Sequence, residues 1–72
     1  MTEHMDFFVT IAIDEDGVYI ADCPSIPGCV SQGSTEAQAI ANIRKAIKEC
    51  LAVRRQRGLP LTVDVRHVQV EA

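Results

Sequence analysis

Three cysteines and two histidines are the residues of this chain with the most distinctive chemistry. Cys23 and Cys29 stand six positions apart, Cys50 follows much later, and the histidines are His4 and His67. Structural zinc sites close four ligands in tight pairs, and this spacing supplies no such pair. An odd cysteine count without a secretory signal is typical of reduced thiols. We therefore predict small, buried cysteine side chains, and neither a metal nor a cofactor.

Carboxylates are the second group of side chains that could carry out catalysis. A nuclease of the two-metal type brings several of them together around paired metal ions. Asp14 follows the first apolar segment and Glu36 opens the helical one, but Glu49 falls opposite the apolar side of that helix. A cysteine nucleophile would need His4 or His67 beside its thiol. We expect no enzymatic activity, and hence a binding module.

Charge is distributed unevenly along the sequence. Residues 1–36 contain seven acidic residues and no Lys or Arg, whereas residues 37–72 contain seven basic and three acidic ones. The acidic cluster Asp14-Glu15-Asp16 and the basic cluster Arg54, Arg55 and Arg57 could each attract a partner of opposite sign. With a pI of about 5.1 and a net charge of −3, the chain is not expected to bind DNA directly.

Size and composition describe one small domain. A chain of 72 residues buries only about 60% of the surface that its unfolded form exposes, so association would add stability. A hydrophobic content of 47% argues against disorder. The acidic start lacks the basic region of a signal peptide, and no apolar run is long enough to span a bilayer. We expect a cytoplasmic protein that does not enter membranes.

Apolar periodicity predicts three strands before a helix. Residues 6–13 alternate, with Phe7, Val9 and Ile11 on one face, and the Asp16-Gly17 step is typical of a hairpin turn. The returning strand covers 18–22 and a short third strand covers 29–32. The face opposite the helix is predicted to carry Phe8, Thr10, Ala12, Tyr19 and Ala21. Such a half-apolar open face favours association, including a homo-oligomer.

A long helix follows, from Glu36 to Arg57. Thr35 is its expected N-cap, with Gln38 at the position of a capping box. One apolar stripe recurs at helical spacing, namely Ile40, Ile43, Ile47, Cys50 and Leu51. Gly58 and Pro60 end the helix. Its length predicts an overhang beyond the sheet, with the three arginines on the projecting turn.

Residues 63–70 form the last predicted strand, although its alternation slips between Val65 and Val68. A right-handed crossover would return it parallel to the first strand. The predicted fold is therefore α+β, in the order β-β-β-α-β, with a mainly antiparallel sheet of strand order 3-2-1-4 and one helix on one face.

The sequence between the second and third strands predicts a rigid loop, because it contains two prolines. Pro24 and Pro27 lower the entropy cost of any contact that the loop makes. Ile26 lies between them and is predicted to project as an anchor. Gly28 and Gly33 are expected to supply positive φ angles at the strand boundaries.

Several segments in this order together resemble the signature of the HicB-type antitoxin family. The similarity is densest at Tyr19-Ile20-Ala21-Asp22-Cys23-Pro24, Ile26-Pro27-Gly28-Cys29 and Gly33-Ser34-Thr35, after the Asp14-Glu15-Asp16-Gly17 turn. Members of that family bind and silence HicA-type RNA-cleaving toxins, and their domain looks like a truncated ribonuclease H-like fold. The resemblance implies that this chain is an antitoxin whose partner is a HicA-type toxin.

Many members carry a C-terminal DNA-binding module, whereas this sequence stops at Ala72, so a single stand-alone domain over 1–72 is expected. The alternative is a nucleic-acid-binding domain or a vestigial ribonuclease H-like nuclease. The partner-binding residues that we expect are Asp14, Glu15, Asp16, Tyr19, Asp22, Pro24, Ile26, Pro27, Arg54, Arg55 and Arg57.

Overall fold

The computed structural model describes residues 5–71, which form three antiparallel strands and one long helix. The elements are β1 (Thr10–Ile13), β2 (Tyr19–Asp22), β3 (Val30–Gly33) and α1 (Glu36–Gln56). The predicted α+β class is confirmed, as are three of the strands and the helix.

The sheet has the order β1-β2-β3, and its register defines two ends. At the turn end, Ile13 pairs with Tyr19 and Tyr19 with Gly33. At the loop end, Asp22 lies between Thr10 and Val30. The 14–17 turn therefore closes one end of the sheet, and the Pro24–Gly28 loop closes the other.

The fourth strand predicted over 63–70 is not confirmed, because the sheet of the described chain has three strands and ends at β1. The Val63 N–H donates to the Ser25 carbonyl at 2.7 Å, so this segment starts against the loop between β2 and β3. The slip in its alternation also leaves it without one continuous apolar face. The first strand is shorter than predicted as well, because residues 6–9 lie outside the ladder.

The N-terminus of α1 forms as predicted. Thr35 is the N-cap, and its hydroxyl accepts from the Gln38 N–H at 3.1 Å. The Gln38 side chain accepts in turn from the Ser34 N–H at 3.0 Å and from the Ser34 hydroxyl. In a capping box the Gln38 side chain would accept from the N–H of the N-cap residue Thr35, whereas here it accepts from Ser34, one residue earlier. Farther along, the Asn42 side-chain amide donates to the Gln32 carbonyl at 2.8 Å and ties α1 to β3.

The C-terminus of α1 is a Schellman motif, as the predicted glycine stop requires. Gly58 has a φ of +67°, and its N–H donates to the Arg55 carbonyl at 3.2 Å. The Leu59 N–H donates to the Arg54 carbonyl at 2.9 Å. Among residues 5–71, no helix combines the length and the apolar character needed to cross a membrane.

The core lies between α1 and one face of the sheet. Its fully buried members are Ala21, Cys23, Ile26, Cys29, Ala39 and Ile43. Most of the predicted helical stripe faces this core, with Ile47, Cys50 and Leu51 partly buried against it. Ile40 does not, because it is 37% exposed at the edge of the stripe.

The prediction for the open face is wrong at two positions. Ala21 is completely buried, and Tyr19 packs with it against the core. The cause is the register, in which Ile11 pairs with Ala21 and Ile13 with Tyr19, so that all four share the helix face. The open face instead carries Thr10, Ala12, Ile20, Asp22, Val30 and Gln32.

Gly33 is required for space and not for a positive φ, which corrects the expectation for this residue. A Cβ at this position would lie 2.5 Å from the Ala39 nitrogen and 2.7 Å from the Gln38 Cβ. The end of β3 therefore touches the first turn of α1 backbone to backbone. Gly28, with a φ of +77°, does have the predicted conformation.

Candidate protein-interaction site

The segment from Cys23 to Cys29, hereafter the proline loop, is closed by backbone hydrogen bonds. The Cys23 N–H donates to the Cys29 carbonyl at 2.9 Å. The Ile26 N–H donates to the Cys23 carbonyl, and the Cys29 N–H to the Ile26 carbonyl, each at 3.1 Å. A loop held this way, with two prolines, keeps one shape before it meets a partner.

The prediction that Ile26 projects from this loop is wrong, because its side chain is only 1% exposed. The bonds to its N–H and its carbonyl fold the middle of the loop back on itself. Ile26 thereby fills the core between Cys23 and Cys29. Pro24 and Pro27 lie on the outside and are exposed. The outer surface of the loop is therefore formed by the two prolines, whereas the Ile26 side chain packs into the core.

The cysteines meet at the loop end of the core, where Cys23 and Cys29 are buried as predicted and Cys50 is partly buried. The pKa of the Cys29 thiol is raised to about 12, chiefly by burial and then by a hydrogen bond with the Cys50 thiol and by nearby Cys23 and Asp22. A thiol that stays neutral is a poor nucleophile.

Within residues 5–71, no three His, Cys, Asp or Glu side chains are grouped so as to hold a metal ion. His4 lies outside the described residues.

The acidic turn contains one structural carboxylate and two exposed ones. The Asp14 side chain accepts from the Asp16 N–H and the Val18 N–H, both at 2.9 Å. Its backbone also bonds to Val18 and Gly17. Asp14 therefore shapes the hairpin, whereas Glu15 and Asp16 carry exposed charge at the turn end.

The three arginines at the end of α1 are not equivalent. The Arg54 guanidinium donates to the Pro60 carbonyl at 2.7 Å and is partly buried, so this residue holds the chain reversal after the helix. Arg55 and Arg57 are exposed, and Arg57 is the C-cap residue. The 21 residues of α1 span about 31 Å and the four-residue strands about 13 Å, so the helix is longer than the strand ladder that it covers.

The predicted site residues divide between the two ends of the molecule. Asp14, Glu15 and Asp16 lie at the turn end, beside Tyr19. Asp22, Pro24, Ile26 and Pro27 belong to the loop end. Because α1 starts after Gly33 at the turn end, and Cys50 meets Cys29 at the loop end, Arg54, Arg55 and Arg57 also lie there. The predicted residues therefore do not form one cluster.

The open face of the sheet connects these two ends. Its apolar residues include Ala12, Ile20 and Val30, and Val30 is 52% exposed. Phe8, just before β1, is 92% exposed. The sequence prediction did not include Ile20 and Val30 in the open face, because it placed Tyr19 and Ala21 there. A predicted register with Ala21 opposite Ile11 would have placed Ile20 and Val30 on the open face.

The sequence of the chain is similar to those of known proteins of one family. The chain is 46% identical over 46 residues to a UPF0150 protein of Synechocystis sp., a match covering 64% of this chain and 67% of that protein. The chain belongs to the UPF0150 family. A UPF0150 protein of Archaeoglobus fulgidus is 35% identical over 51 residues, covering 71% of this chain and 74% of the relative.

A UPF0150 protein of Thermoplasma acidophilum is 46% identical over 44 residues, covering 61% of this chain. The matched segment spans 64% of that relative, which is slightly less than two thirds of its length. No family model and no solved structure matches the chain. Membership of UPF0150 therefore rests on these relatives.

Proposed function

We propose that this UPF0150 protein is a HicB-type antitoxin that binds a HicA-type RNA-cleaving toxin and covers its active surface. It carries out no chemistry of its own, and it acts in the cytoplasm. The observation that carries the proposal is the open sheet face, an exposed apolar surface bordered by carboxylates at one end and by the proline loop at the other. The sequence resemblance to HicB-type antitoxins supplies the identity of the partner.

The open face has the composition of a contact surface. Val30 and Phe8 expose large apolar side chains to solvent, and Ile20 lies half-buried between the strands. An exposed apolar patch with a polar border marks an interaction site in small soluble proteins. Thr10, Asp22 and Gln32 on the same face supply hydrogen-bonding groups.

The charges around this face favour a basic partner. Glu15 and Asp16 are exposed at the turn end, and Glu36 opens the helix nearby. Asp22 contributes a further carboxylate on the face itself. A surface that binds RNA is basic, and acidic groups at the border of an interface raise the association rate with such a surface.

The proline loop adds a preformed edge to the same surface. Pro24 and Pro27 are exposed, whereas the backbone that carries them is fixed by three hydrogen bonds and by buried Ile26. Little conformational entropy is lost when such a loop docks. The loop thus contributes shape to the contact, and the acidic turn contributes attraction.

We infer further that the complete fold is a truncated ribonuclease H-like sheet of order 3-2-1-4. The unpaired outer edge of β1 is the position that this order gives to a fourth strand. Residues 63–70, from the same or from a second copy of the chain, are the candidate segment, because they are rich in valine and follow the helix.

The proposal is tested by binding and inhibition with a purified HicA-type toxin. Val30→Asp places a charge on the exposed apolar part of the open face, at its loop end beside Asp22, and we expect at least a tenfold loss of affinity and of protection of RNA from cleavage. Val53→Asp is the matched control, since Val53 is 43% exposed on α1, away from this face. Equal inhibition by the wild type and Val30→Asp would remove the open face from the interface.

A wild-type protein with no affinity for any such toxin would overturn the proposed function itself. The same preparations should be titrated with RNA alone. Tight, strongly salt-dependent RNA binding without toxin would favour the alternative of a nucleic-acid-binding domain.

A further inference from the structure

On the side of the sheet that faces α1, an apolar groove runs between the helix and the segment leading into β1. It has a volume of about 950 Å³. Its apolar walls are Phe7, Val9, Ile40, Ile43, Ile47 and Leu51. In the described chain, the lining comes only from residues 5–9 and from α1. Residues 5–9, which form one wall of the groove, lead directly into β1, an edge strand that pairs on one side with β2.

The chain's own C-terminal segment does not fill this groove. Residues 62–71, hereafter the arm, start at the proline loop, where the Val63 N–H donates to the Ser25 carbonyl. Val65 lines a small crevice beside Phe7 and Phe8, and beyond it the side chains are exposed. Val68 is 72% exposed and Val70 is 83% exposed. The radius of gyration of 13.9 Å exceeds the roughly 11 Å of a compact chain of this length, as an extended arm requires.

The arm matches the groove in length, polarity and charge. Residues 63–70 span about 26 Å when extended, and the helix from Ile40 to Arg55 spans about 22 Å. The arm offers four valines where the groove offers apolar walls. The groove is bordered by three cations and one carboxylate, Arg44, Lys48, Arg55 and Asp6. The arm contains Asp64, Arg66 and Glu71, so its net charge is of the opposite sign.

We propose that two copies of this chain exchange their arms, each arm pairing with the β1 edge of the other copy and covering its groove. The exchange is reciprocal and closed, because each copy has one arm and one groove. Main-chain pairing along β1 gives affinity, and the valines set the register. The dimer also enlarges the core, to which residues 5–71 contribute six buried hydrophobic side chains.

This inference is independent of the proposed function, since it uses the helix side of the sheet and leaves the open face unoccupied. The two are therefore separable by variant. Val30→Asp should weaken toxin binding without changing the mass of the assembly in solution. Ile40→Asp should reduce the mass of the assembly in solution while leaving the residues of the open face unchanged.

The first experiment measures mass against concentration for the full chain by sedimentation equilibrium. We expect a dimer for the wild type, and at least a tenfold weaker dimer for Ile40→Asp and for the double variant Val68→Asp, Val70→Asp. Val53→Asp and Val30→Asp are the controls, with similar exposure but positions outside the groove, and should remain dimeric. A monomeric wild type, or a dimer lost only in Val30→Asp, would overturn the proposal.

The second experiment asks which copy supplies the arm. Isotope-filtered NOE spectra of a mixture of ¹³C-labelled and unlabelled chains should show contacts between the Val68 or Val70 methyls of one copy and the Ile40 or Leu51 methyls of the other. Contacts found only within one copy would show that each arm folds back on its own groove, and the exchange would be rejected. A dimer without either set of contacts would reject it too.

Discussion

At the scale of single residues, the Cys29 thiol gives the fold a measurable pH dependence. Burial, together with the neighbouring Cys50, Cys23 and Asp22, raises its pKa to about 12 from an ordinary value of 9.0. In the unfolded chain the thiol ionises near the ordinary value. Between about pH 9 and pH 12 the unfolded chain therefore holds fewer protons than the folded one, and the free energy of unfolding falls as pH rises.

We expect the stability advantage of the wild type over Cys29→Ala to be constant below about pH 8 and to shrink steadily above about pH 9. Urea unfolding in the presence of a reducing agent measures it. Using the difference between the two proteins cancels the other groups that titrate in this range. A difference that does not change with pH would mean that the Cys29 thiol is solvated in the folded protein.

Residue identity alone explained part of this chemistry. The cysteine spacing predicted buried thiols, and Cys23 and Cys29 are buried. The same reasoning failed for Ile26, because two prolines flanking an apolar residue predict stiffness but not direction. The direction of the side chain is set by two hydrogen bonds, in which the Ile26 N–H donates to the Cys23 carbonyl and the Ile26 carbonyl accepts from the Cys29 N–H, and both require the closed loop.

At the scale of elements, the contact between β3 and α1 depends on Gly33. We expect Gly33→Ala to destabilise the protein by about 1–3 kcal/mol, because the added methyl meets helix backbone that cannot yield like a side chain. Amide chemical shifts of Gln38 and Ala39 should move with the substitution.

Gly28→Ala is the contrast for this variant. No atom lies within 4 Å of a Cβ at Gly28, so its cost comes from the positive φ alone. It should therefore leave the Gln38 and Ala39 shifts in place. If Gly33→Ala were as stable as the wild type, the close approach would not hold in solution.

The helix was predictable nearly to its ends, because its signals are local. Thr35, Gly58 and the apolar stripe each act within a few residues, and Glu36–Gln56 differs from the prediction by one position. The strands were less predictable, because pairing register and the last strand depend on contacts between distant segments. Tyr19 and Ala21 were misplaced for that reason, and the segment 63–70 was assigned to a ladder that the described chain does not form.

At the scale of the whole molecule, charge is separated along the sheet, with Glu15 and Asp16 at the turn end and the arginines at the loop end. For a basic toxin, we expect Glu15→Lys to slow association several-fold at low salt and to have little effect on dissociation. Stopped-flow measurements over a range of salt concentrations would detect this. Asp14 is excluded from the change because its carboxylate holds the turn.

Glu49→Lys changes the net charge equally on the exposed side of α1 and serves as the control. Equal slowing by both variants would show that only net charge matters. The position of the acidic turn would then carry no information about the interface. The sequence predicted the separation of charge but not its axis, since only the register places the turn and the proline loop at opposite ends.

The two edges of the sheet differ, and the difference governs self-assembly. At the β3 edge, the Gln32 carbonyl accepts from the Asn42 side chain, and Gly33 lies against the first turn of α1. A further strand could not pair fully with β3, because the Gln32 carbonyl is already hydrogen-bonded and α1 lies next to Gly33. Within residues 5–71, no comparable contact covers the outer edge of β1. Sheet growth can therefore proceed in one direction only, and it stops once that edge is filled. Replacing Asn42 would free the Gln32 carbonyl and leave only the packing of Gly33 against α1 to keep neighbouring molecules from adding strands and polymerising into fibres.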